Sequence, residues 1–356
     1  MPQLSRFALV ISLLVSACSL PAPVRMDEQL SGIVLGKRYA CYTGQRDEAV
    51  EARLMRVVAA HAPTQATIIR RLHAWEEKYC TSKSTLAEYL DKQAKPDSEE
   101  ELKKLSTSVH ELMHRFSTAD PLGVKNPHRP AKSKTNGPYF DTGLGQHYMA
   151  VYLPTRGVMY ILMQRNYSSG IADSLVHDKT VRTPRYNVYV KGRSGGQGVF
   201  DLLDEYHAYY HGFAYHEALV QARQYSIVTE RKETKYFNGL PNVSTYTKYK
   251  PLSDQYLAHP QFTYYILTYM LALQQKAPQI YARFIDNRPL WQAFVDIHDH
   301  FEPLYQGYIA RRTKQQAKYK YALSASLEQE RAALEQHLAS APYQSLMRDI
   351  RQWAGQ

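Results

Sequence analysis

Ser108-Val109-His110-Glu111-Leu112-Met113-His114 places two histidines four residues apart, with a glutamate directly after the first. This is the pattern HExxH. On an α-helix, residues four apart lie one above the other, so His110 and His114 can turn both imidazoles toward one point. Two imidazoles so placed suit a divalent metal ion, and Glu111 beside them suits a water molecule held by that ion. With 14 His among 356 residues, random placement yields roughly 0.03 such matches, so the pattern is informative. It also needs a helix, and the flanking residues supply one. Leu102, Leu105, Val109, Leu112, Met113 and Phe116 recur at helical spacing and form an apolar stripe. Lys95-Pro96-Asp97-Ser98 reads as a break and cap, followed by Glu99, Glu100 and Glu101 where the helix dipole favours negative charge.

Upstream, residues 64–80 carry Ile68, Ile69, Leu72 and Trp75 at helical spacing, and a further helix is expected over residues 84–93. Downstream, residues 120–138 are rich in Pro, Lys, Gly and Asn and read as a long loop. Three runs rich in Val, Tyr, Ile and Met follow, at 147–153, 157–165 and 185–191. The first two are joined by the turn-like Pro154-Thr155-Arg156-Gly157, so a small antiparallel sheet is expected within about residues 147–191. The glycine-rich segment 192–198 lacks the Lys-Ser/Thr ending of a phosphate-binding loop and reads as a turn. Helices are expected over 255–276, 289–312, 314–338 and 341–353. The expected fold class is α+β and predominantly helical, with a small antiparallel sheet and a helical C-terminal region.

The first residues set expectations about location. Arg6 precedes an apolar run from Phe7 to Val15, too short to span a bilayer and of the kind found in secretory signals. Val15-Ser16-Ala17-Cys18 resembles the bacterial lipobox, which implies lipidation of Cys18 as the new N-terminus. The same resemblance implies, from Ser19 after that cysteine, delivery to the outer membrane, facing the periplasm, with the membrane contacted through the lipid anchor alone. The expected organisation is a signal peptide over 1–17, a tether over 18–35, a catalytic domain over 36–250 and a helical region over 251–356. Loss of residues 1–17 removes one Arg and lowers the formal charge from +11 to +10. The basic residues cluster only at 129–134 and 311–320 and match no nucleic-acid motif, so solvated faces are expected and no nucleic-acid partner. Cys41 and Cys80 remain as an even pair in an exported chain, and a disulfide between them is the expectation. Tyrosine is abundant, 29 residues against 10 Phe and 3 Trp, which suggests half-buried wet surfaces or a polar-lined groove.

A catalytic zinc ion takes three protein ligands and leaves a position for water, so a third ligand is needed. Residues 201–217 concentrate acids and histidines on an expected helix whose one face reads Leu202, Glu205, Tyr209, Gly212, Phe213, His216. A carboxylate on a buried face needs a cationic partner, and a metal serves. Glu205 is therefore the candidate third ligand, with His207 and His211, on a different face, as alternative metal ligands. Asp204 is a candidate acceptor for a ligand imidazole. Tyr209 is a candidate donor to a tetrahedral oxyanion, with core packing as its other reading.

HExxH on one helix, completed by Glu205 on a later one, resembles the gluzincin branch of zinc metallopeptidases over about two helices. The resemblance implies one zinc ion per chain held by His110, His114 and Glu205, and Glu111 as general base. It also implies a peptide or protein substrate cleaved by a zinc-activated water, and the lipobox resemblance implies that this happens in the cell envelope. Peptide cross-links of peptidoglycan are an alternative substrate. A competing expectation is a non-catalytic envelope lipoprotein that binds peptidoglycan or a partner protein through its tyrosine-rich surface.

Overall fold

The computed structural model describes residues 47–79, 84–90, 99–119, 147–164, 166–192, 194, 196–229, 257–319 and 325–356. The signal, Cys18, the tether, Cys41, Cys80, the 95–98 cap and the 120–138 loop lie outside the described residues. The fold is α+β and mostly helical. The helices are α1 (Glu48–His61), α2 (Pro63–Tyr79), α3 (Glu99–Ala119), α4 (Pro184–Tyr189), α5 (Val199–Thr229), α6 (Ala258–Lys276), α7 (Pro278–Ile285), α8 (Arg288–Tyr319), α9 (Ala325–Ala339) and α10 (Ala341–Ala354). Between α3 and α4 lies an antiparallel pair, β1 (His147–Leu153) and β2 (Gly157–Met163). Its register runs from His147 opposite Met163 to Leu153 opposite Gly157. Gly157 adopts φ 71°, a left-handed conformation that closes the short hairpin and that glycine reaches without Cβ strain.

Two buried clusters make the core, and α5 contributes to both. Leu102, Leu105, Val109, Leu112, Met113 and Phe116 of α3 pack with Leu54 and Val58 of α1, Ile68, Ile69 and Leu72 of α2, and Ala208 and Tyr215 of α5. The second cluster joins the sheet to the opposite side of α5, through Leu202, Leu203, Tyr206 and Phe213, and to α6 through α10. A helix buried round most of its circumference belongs at the centre of a large core. The α3–α5 contact is the most extensive between any two elements. That contact brings the HExxH helix against the acid- and histidine-bearing helix.

Local capping explains where several elements start. The Asp47 carboxylate accepts from the backbone N–H groups of Ala49 (3.0 Å) and Val50 (3.1 Å), opening α1. Glu101, buried in the first turn of α3, accepts a two-pronged contact from Arg53 of α1 at 2.7 and 2.5 Å. Gly198 precedes α5 at φ 58°, packed against the Tyr167 carbonyl and the Tyr269 hydroxyl, where a Cβ has no room. Gly198→Ala is therefore expected to lower the unfolding temperature by several degrees, read by thermal denaturation.

Three expectations are corrected. Residues 185–191 do not form a third strand: Pro184 occupies the first turn of a helix, for which its fixed φ is suited, and α4 runs to Tyr189. Of the helix expected over residues 84–93, residues 91–93 lie outside the described residues, and the described part, 84–90, forms only a short 3-10 turn at Leu86–Tyr89. It is shaped by buried carboxylates from elsewhere, Glu76 accepting from the Ser84 N–H at 2.8 Å and Glu51 from the Leu86 N–H at 2.9 Å. Helix α8 runs through residue 313 to Tyr319, past the end expected at 312, and the expected helix over 314–338 is seen as the end of α8 and, from Ala325, as α9, with 320–324 outside the described residues. The tyrosines also sit deeper than expected. Tyr186, Tyr206, Tyr215, Tyr264, Tyr265, Tyr269 and Tyr305 are fully buried. Hydroxyl partners are part of the reason: Tyr269 donates to the Tyr167 carbonyl at 2.8 Å, and Tyr206 meets Thr263 at 3.3 Å.

Candidate metal centre

Helices α3 and α5 bring His110, His114 and Glu205 to one point. The Nε2 atoms of His110 and His114 are 3.1 Å apart. Glu205 Oε2 lies 3.4 Å from Nε2 of His114 and 3.8 Å from Nε2 of His110. Among the described residues this is the group of His, Cys, Asp and Glu side chains whose ligating atoms converge. A tetrahedral centre with ligands at about 2.0–2.1 Å spaces those ligands about 3.3–3.4 Å apart, which the three separations bracket. Glu205 Oε2 is buried and has no hydrogen-bond partner of its own. An orphaned buried carboxylate oxygen facing two imidazole nitrogens is what a metal site leaves when the ion is taken away. The residues present therefore fit a divalent metal.

The surroundings support the same geometry. Asp204, also on α5, stands 2.9 Å from His114 Nδ1. A ring N–H donated there leaves the Nε2 lone pair directed at the centre. Burial works against charge on His114, but Asp204 and Glu205 outweigh it and hold the imidazolium well above the ordinary histidine range. Burial pushes His110 well below that range. The two carboxylates thus favour a cation where the imidazoles meet. Asp204→Asn is expected to weaken divalent-metal binding about 10–100-fold while leaving the fold intact, measured by competition with a chromophoric chelator.

Glu111 lies half-buried on α3, outside the ligand triangle, and burial raises its carboxyl above the usual range. One turn on, Arg115 is engaged by Glu88 at 3.1 and 3.2 Å. The Tyr209 ring packs edge-on against His110 with centroids 4.4 Å apart, and its hydroxyl meets that of Tyr189 at 3.3 Å.

His207 and His211 do not join the centre. Both are fully buried and grip the backbone of β1 at a single residue. The Tyr152 N–H donates to His207 Nε2 at 3.0 Å, and His211 Nε2 lies 3.2 Å from the Tyr152 carbonyl. Gln65 Nε2 meets His211 Nδ1 at 3.2 Å, so both nitrogens of that ring are in use. These contacts tie the sheet to α5 and α2.

They also carry a pH dependence. Burial pushes His211 down to about 4, whereas the unfolded chain takes up its proton near about 6.5. Between those values the unfolded state binds more protons, so stability present above the unfolded pKa is lost as pH falls toward the folded one. His211 alone accounts for about 3 kcal/mol across that window. Urea unfolding at pH 7 and pH 4.5 is expected to show the loss; equal stability at both would contradict this assignment.

Sequence reasoning missed Tyr189, Gln65 and Arg185. Arg185 stacks its guanidinium over the Tyr209 ring, 4.7 Å from the centroid. The only local hint is Thr183-Pro184, a helix start that aims the following residues inward. No helix among the described residues is long and apolar enough to cross a membrane. None of the family models, curated proteins or solved structures compared with the chain matches it.

Proposed function

We propose that the protein is a zinc-dependent metallopeptidase of the bacterial cell envelope, of gluzincin-like design. The observation that carries this reading is the convergence of His110, His114 and Glu205 at 3.1–3.8 Å, with Glu111 next to His110 in the chain and not among the converging ligand atoms. A bound zinc ion supplies a Lewis acid and lowers the pKa of water toward neutrality. Its ligands would be the Nε2 atoms of His110 and His114 and a Glu205 carboxylate oxygen. Everything else falls to the chain. Glu111, its basicity raised by burial, takes a proton from the attacking water and passes it to the leaving amine. Asp204 fixes the tautomer and direction of His114. Tyr209, against His110, offers a hydroxyl that can stabilise a developing oxyanion.

The substrate is a peptide or protein, with peptidoglycan cross-links as the second candidate. The location follows from Val15-Ser16-Ala17-Cys18: export, then a lipid anchor at Cys18 in the outer membrane. The functional test is hydrolysis of unfolded protein and of muropeptides by the zinc-loaded chain. Cleavage suppressed by chelation and restored by zinc is expected. A zinc-free protein that binds peptidoglycan without cleaving it would favour the non-catalytic alternative.

A further inference from the structure

Arg185 projects from α4 beside the candidate metal centre. Its guanidinium covers one face of Tyr209, 4.7 Å from the ring centroid, and Tyr209 in turn packs on His110 at 4.4 Å. One of its N–H groups donates to Gln261 Oε1 on α6, and the other end of that amide donates to Glu330 on α9. Gln261 is thereby fixed in orientation and holds the guanidinium in place. Among the described residues no carboxylate lies within ion-pair distance of the half-exposed Arg185; the buried acid that feels its charge, Glu330, reaches it through Gln261. A guanidinium carries five donors in a planar fork that matches a carboxylate. Here Gln261 uses one donor and Tyr209 covers one face, and no carboxylate among the described residues is in direct contact with the remaining donors.

The acids at the centre, Glu111, Asp204 and Glu205, repel an anion, so a positive group beyond Tyr209 adds selectivity that they cannot. We propose that Arg185 is a specificity-determining residue that holds a carboxylate of a bound peptide next to the His110–His114–Glu205 centre. The inference rests on the metallopeptidase reading. An extended chain advances about 3.3–3.6 Å per residue. The two ring contacts of 4.4 and 4.7 Å therefore keep the guanidinium within a span of about three extended residues from the His110 ring. The carboxylate is either the free C-terminus of the peptide or an acidic side chain. Arg185, prefixed by Gln261 and Tyr209, loses little side-chain entropy on binding, which favours a real contribution to affinity.

The test uses the full chain, with and without zinc, and three probes: acetyl-Ala-Ala-Ala with a free carboxyl terminus, its amide, and the amide of acetyl-Ala-Glu-Ala. Binding is read by calorimetry, alongside zinc content and unfolding temperature. At least one carboxylate probe is expected to bind about 10-fold tighter than the neutral amide. The tighter of the two identifies a C-terminal or a side-chain carboxylate. Arg185→Gln is expected to abolish the preference at unchanged zinc content, and Arg185→Lys to retain part of it. Equal binding of all three probes by the wild type overturns the proposal, as does a preference that survives Arg185→Gln. A carboxylate preference in a protein that takes up no zinc would leave Arg185 standing and overturn the metal site alone.

Discussion

Glu111→Gln is expected to lower peptide hydrolysis by about 10²–10⁴-fold, the range over which positioned general bases contribute, while bound zinc stays at about one per chain. The separation of the two effects follows from the geometry. Glu111 stands outside the triangle of ligand atoms, so an amide of the same shape there leaves the 3.1, 3.4 and 3.8 Å spacings undisturbed. What the amide cannot do is accept and return a proton. Burial raises the Glu111 carboxyl, which moves its basicity toward the operating pH. Replacement by Gln therefore removes a tuned base rather than a ligand. Turnover equal to wild type would remove Glu111 from the mechanism, and loss of zinc together with activity would return it to a structural role.

The second large effect belongs to Glu205. Glu205→Ala removes one of the three proposed ligands and is expected to abolish stabilisation by zinc at concentrations that saturate the wild type. With zinc at 100 times its dissociation constant, wild-type unfolding is expected to shift by about 2.7 kcal/mol, against nothing measurable in the variant. His110→Ala is expected to behave in the same way. A thermal shift with zinc that persists in Glu205→Ala would point to ligands other than this triangle.

Much of the scaffold around the centre is legible in the amino-acid sequence, because it rests on local periodicity. The stripe from Leu102 to Phe116 specifies α3, and the Val- and Tyr-rich runs about Gly157 specify the hairpin. The one-face argument on residues 201–217 singles out Glu205, and the same helix turns Asp204 toward His114. Helix α1, capped by Asp47 with Leu54 and Val58 buried, is not among the helices expected from the sequence.

Other features depend on contacts between residues far apart in the chain. The roles of His207 and His211 are fixed by the Tyr152 backbone and by Gln65, which is 146 positions from His211. No periodicity encodes such pairings. The 185–191 run misleads because Val and Tyr favour strands, whereas Pro184 at a helix start and the burial of Tyr186 decide otherwise. Arg185 gains its place beside the centre from that same helix and from Gln261 on α6. The depth of the tyrosines likewise depends on hydroxyl partners such as Thr263 and the Tyr167 carbonyl.

The most direct measurement is elemental analysis of the full chain purified without chelators, for the wild type and for a variant carrying both His110→Ala and Glu205→Ala. The wild type is expected to carry about one zinc per chain and the double variant none. A wild type free of metal, or a double variant that keeps its metal, would contradict the zinc centre and the hydrolytic function proposed for it.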